Sequence, residues 1–84
     1  MAMSIPFRRI RCRCTSCGGS WRVPRRRILR LERFFEIEKR QLFVWECHDC
    51  HEGVVVPERY RNSYGETVVL DPNNLPQDVT VLRF

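Results

Sequence analysis

A chain of 84 residues that is 43% hydrophobic and 30% charged makes one small domain, with no room for a second core and too much apolar content for a disordered tail. Its longest strictly apolar run, residues 42–45, excludes a spanning helix, which needs about 20 such residues, and with no apolar leader in the first ten residues a cytoplasmic protein off the membrane is expected. The net charge of +5 is lopsided: residues 1–40 carry 12 Arg or Lys against 3 Glu, and residues 41–84 carry 3 Arg against 7 Asp or Glu.

Residues 1–6 read as a loose arm and 7–12 as a short strand. Cys14-Thr15-Ser16-Cys17-Gly18-Gly19 is a tight turn, because two glycines supply the positive φ that such a turn requires. Residues 20–23 leave it as a strand that Pro24 interrupts. Residues 25–38 fit two patterns. A helix would align Ile28, Leu31, Phe34 and Phe35; a strand would align Leu29, Leu31, Phe35 and Ile37. A helix would also place Arg25, Arg26 and Arg27 at its positive end and Glu36 and Glu38 at its negative end, and no good cap precedes it. The charges therefore favour a strand over 28–38. A turn near Lys39 and Arg40 returns the chain through 41–46 as a strand. Residues 54–56 form a buried strand ended by Pro57. Residues 62–65 form a loop, 67–70 a short strand and 71–74 a turn. The alternation over 79–84 predicts a last strand, whose edge could pair with a second copy, so both monomer and homodimer are open.

Five cysteines in so short a chain call for a staple, because the apolar core alone is marginal. Cys14 and Cys17 form one C-x-x-C, and Cys47 and Cys50 form another. Two tight turns that each aim two thiolates at one point complete a tetrahedron around zinc. Disulfides fit less well, since a fifth cysteine is left over and no export signal is seen. Cys12 forms a C-x-C with Cys14 and could replace a ligand. A buried strand cysteine, with its side chain pointing away from Cys14, is the plainer reading. His48 or His51 could also replace a ligand, and Cys47 to His51 satisfies the haem-attachment pattern. That pattern needs an exported protein, and it leaves the first pair unexplained.

The segments Cys14-Thr15-Ser16-Cys17-Gly18 and Trp45-Glu46-Cys47-His48-Asp49-Cys50, each following a strand, resemble the zinc ribbon family over about residues 7–57. The resemblance implies a small β-rich zinc-bound domain with Cys14, Cys17, Cys47 and Cys50 as ligands. Residues 58–84 would then be a C-terminal strand extension. His51 stands where that family often has glycine. Zinc ribbons occur in transcription factors, RNA polymerase subunits, ribosomal proteins, primases and small viral regulators.

An enzyme is not expected. The Cys47 to His51 segment also resembles the close of HNH nucleases, but residues 18–46 hold neither the histidine nor the asparagine that such enzymes place there. A closed four-thiolate site has no position for an activated water. No catalytic triad, paired carboxylates or phosphate loop appears, and a redox C-x-x-C would sit at a helix start beside a βαβ unit. Two binding functions remain. The first rests on Arg8, Arg9, Arg11, Arg13, Arg22 and Arg25 to Arg27: Arg9, Arg11 and Arg13 share one strand face and join Arg25, Arg26 and Arg27 in a basic stripe for nucleic acid. Trp21 or Phe34 could stack on a base, although Trp21 and Trp45 are more simply core around the metal. In the second, the domain is an adaptor that docks on a larger protein machine of the RNA polymerase type without touching nucleic acid.

Overall fold

The computed structural model describes residues 9–83. It is β-rich, with seven strands and one helix among those residues: β1 Arg9–Cys14, β2 Ser20–Pro24, α1 Arg25–Phe34, β3 Phe43–Glu46, β4 Val54–Pro57, β5 Arg59–Arg61, β6 Thr67–Val69 and β7 Thr80–Leu82. The expected arm over 1–6 lies outside the described residues, as do the first two positions of the expected 7–12 strand and the last of the 79–84 strand.

Five strands form one sheet in the order β2-β1-β4-β3-β7, and β5 and β6 form a separate antiparallel pair. All neighbours in the large sheet are antiparallel except β3 and β7, which run parallel. The sequence explains which strands sit centrally. Val55 and Val56 in β4, and Phe43 and Val44 in β3, are buried on both faces, as apolar runs without alternation should be. In β1 the alternation is strict: Ile10, Cys12 and Cys14 are buried, whereas Arg9 and Arg11 are exposed and Arg13 is half-buried. No helix among the described residues is long and apolar enough to cross a membrane.

Residues 25–34 are helical, which corrects the strand expected over 28–38. Arginine and leucine are good helix formers, and seven of the ten α1 residues are one or the other. The unfavourable ends are real: Pro24 provides no side-chain cap and the first turn holds no acid. Long-range contacts offset them. Arg25 Nε donates to the Arg61 carbonyl at 2.7 Å, and Ser63 Oγ donates to the buried Glu32 carboxylate at 2.7 Å. Ile28, wholly buried, seals the same side. The helix ends in a Schellman arrangement, with Glu36 N–H donating to Arg33 and Ile37 N–H to Glu32. Glu36 takes the left-handed position, φ 53°, that glycine usually fills. The element β5 departs from expectation too, since Arg59–Arg61 offers a single apolar residue, Tyr60.

Candidate metal centre

The four cysteines come from two turns at one end of the sheet. Cys14 closes β1, and its N–H donates to the Gly19 carbonyl at 2.9 Å, which fixes the first turn. Gly18 takes φ 72° there. The N–H groups of Ser16 and Cys17 both donate to Cys14 Sγ at 3.4 Å. The second turn repeats the plan. Cys47 follows β3 directly, and its N–H donates to the Gly53 carbonyl at 3.0 Å. His51, directly after Cys50, takes φ 57°. The residue after each C-x-x-C is thus left-handed, glycine in one turn and histidine in the other, so the second turn keeps its geometry without the usual residue.

The turns are clamped to each other. Thr15 N–H donates to the Val54 carbonyl at 3.0 Å, and Val54 N–H donates back to Thr15 Oγ1 at 3.2 Å. Gly53 lies against the opposite turn. A β-carbon there would fall 2.6 Å from Ser16 Cβ and 2.9 Å from Cys14 Sγ.

This clamp brings the sulfurs of Cys14, Cys17, Cys47 and Cys50 within 4.8 Å of one another. Cys14 and Cys50 are 3.6 Å apart and Cys17 and Cys47 are 4.0 Å apart. A tetrahedron with metal–sulfur bonds of about 2.3 Å has edges of about 3.8 Å, so the donor set fits a tetrahedral thiophilic ion. Backbone N–H groups of Glu52 and Gly53 point at Cys50 and bring its thiol from 9.0 down to about 6. Cys17 accepts from the Gly19 N–H, yet the neighbouring thiols push it up to about 12. Such a cluster does not accommodate four thiolates alone; a cation at its centre would remove their repulsion.

Cys12 is outside the cluster. Its side chain does not point away from Cys14, which corrects the expected orientation: both lie on the buried face of β1, because no turn separates them. Cys12 Sγ lies 3.5 Å from the Ile10 carbonyl. Burial, followed by the charge of Glu58, pushes its thiol up to about 12. His48 and His51 are exposed and do not belong to the cluster.

Comparison with family models, curated proteins and solved structures gives no match.

The arginines do not form the single stripe expected. Arg9, Arg11 and Arg13 share one face of β1, and Arg22 joins them directly opposite Arg11. Among the described residues no carboxylate is within ion-pairing distance of these four. Arg25 to Arg27 leave that row because they are helical. Arg25 is bonded to the carbonyls of Arg61 and Asn62, and with Arg9, Arg59 and Arg61 it surrounds a cavity of about 530 Å³. Arg26 is exposed. Arg27 lies across the sheet, in a cleft of about 420 Å³ with Trp21 and Trp45. Both indoles pack against the core but are only half-buried, so they do more than fill it. Phe34, the other stacking candidate, is exposed at the helix end and packs edge-on against Phe35. Arg22 was among the expected arginines, but its place opposite Arg11 is set by strand register. Sequence reasoning missed two contributors, Arg59 and Arg61, which come from the acidic half.

Proposed function

We propose that this protein is a non-enzymatic zinc-ribbon domain that binds nucleic acid through its arginine surface. Zinc is the ion that a closed set of four thiolates suits best, and its work here is structural: it ties together two turns that the small core cannot hold alone. The observation that carries the binding function is the row of Arg9, Arg11, Arg13 and Arg22 on one sheet face with no carboxylate partner among the described residues. Like charges directly opposite, as Arg11 and Arg22 are, destabilise a sheet. Phosphates would relieve that repulsion, and guanidinium forks match phosphate oxygens in pairs. The cavity lined by Arg9, Arg25, Arg59 and Arg61 has no acidic lining among the described residues and extends the same positive surface from Arg9.

The test is binding to DNA and RNA over a range of salt. Counterion release predicts a linear fall of log affinity with log salt. Arg9→Ala with Arg11→Ala should weaken binding on all sequences alike and lower the slope by about one for each phosphate no longer neutralised. A protein that binds neither DNA nor RNA at low salt would be the adaptor on a larger protein machine.

A further inference from the structure

We infer that the cleft between Trp21 and Trp45 receives an unpaired base of a single-stranded nucleic acid, with Arg22 and Arg27 at its rim holding the adjoining phosphates. The inference rests on the nucleic-acid reading above and adds to it the strand state and the place of base contact.

The cleft has three sides. Trp21, Val23, Trp45 and Val55 share one face of the large sheet and form its floor. Arg27 and Leu31 of α1 form one wall, and His48 and Asp49 of the second cysteine turn form the other. At about 420 Å³ it falls within the about 300–1,000 Å³ of small-ligand sites. The indoles are held in place. The six-membered ring of Trp21 lies against Gly19, so close that a β-carbon there would sit 2.6 Å from it. Trp45 packs beside Phe43 with ring centroids 6.5 Å apart. Fixed, half-exposed aromatic faces are stacking platforms, and every base has a face to offer them.

The charges select the occupant. A proline-rich peptide could lie on the same indoles, but it would leave two guanidinium groups without partners. Arg22 is cross-strand from Arg11, so the arginine row on the other face of the sheet reaches the rim of the cleft at this residue. A strand whose phosphates follow that row arrives with its bases at the aromatic floor. Asp49 offers an acceptor for an N–H on the base edge. A base still paired in a duplex cannot enter, because its faces are already stacked.

The experiment uses the zinc-loaded full chain, tryptophan fluorescence and three probes: a short oligothymidylate, a strand of equal length lacking bases, and a matched duplex. The base-bearing strand should quench the indole emission and bind about tenfold more tightly than the abasic strand. Trp21→Leu and Trp45→Leu, checked for retained zinc, should each reduce that preference and leave abasic binding unchanged. The abasic comparison uses unaltered protein, so it stands even if a variant fails to fold. Equal affinity for strands with and without bases, or tighter duplex binding, would overturn the cleft site and leave the arginine surface intact. No binding of any probe would overturn both. Quenching by a proline-rich peptide and not by the oligothymidylate would assign the cleft to a peptide.

Discussion

Gly53 of the second cysteine turn lies directly against Cys14 of the first: a β-carbon on Gly53 would sit 2.9 Å from the Cys14 sulfur and 2.7 Å from the Ser16 nitrogen. Two turns far apart in sequence therefore meet through a position that only glycine fits. Gly53→Ala should push the turns apart, destabilise the domain by about 3 kcal/mol and weaken metal retention. Chelator competition and urea unfolding of the variant measure both. A variant with parent stability and metal affinity would show that the turns do not meet this closely.

Among the described residues two adopt left-handed backbone without being glycine, Glu36 at the end of α1 and His51 after Cys50. A non-glycine residue in this region costs about 1 kcal/mol or more. Glu36→Gly and His51→Gly should each stabilise the domain by about 1 kcal/mol, read from the shift in unfolding midpoint. For His51→Gly the metal content should be unchanged, because that side chain is outside the cluster.

The cysteine cluster was legible because its signal is local. Each C-x-x-C fixes two sulfurs within one turn, and the strands on either side alternate or run apolar as strands do. The helix was not legible. Its end signals are wrong by sequence: no cap at Pro24, no acid in the first turn, and Glu36 where a glycine would mark the stop. What holds it is Arg25 on the Arg61 carbonyl and Glu32 on Ser63, pairings between distant parts of the chain that leave no local pattern. The basic surface was half legible for the same reason. Alternation in β1 places Arg9, Arg11 and Arg13 together, but only strand register brings Arg22 opposite Arg11.

Tyr60 gives the protein a dependence on alkaline pH. Burial, followed by the charge of Glu32, raises its phenol above the ordinary 10.0. In the unfolded chain it ionises near pH 10.0; in the fold it remains neutral to higher pH. Its contribution to stability is therefore complete below about pH 10 and is lost as pH rises through the folded value. Urea midpoints should fall more steeply above about pH 10 for the parent than for Tyr60→Phe. Parallel curves would contradict this.

Cys12 is fully buried beside the cluster and outside it. Cys12→Ala should keep the full metal content and lose about 1 kcal/mol of stability from the missing sulfur. Loss of metal in this variant, measured by elemental analysis, would place Cys12 among the ligands.

Native mass spectrometry of the reduced protein, purified without added metal, decides whether the four cysteines hold zinc. The expected mass is that of one chain with one zinc ion and four deprotonated cysteines, and Cys47→Ser should bind no zinc and be unfolded. Structural zinc contributes on the order of 10 kcal/mol in small domains, as much as the whole stability of a typical domain. A folded parent with no metal, or a Cys47→Ser variant that folds as the parent does, would contradict a zinc site built from Cys14, Cys17, Cys47 and Cys50.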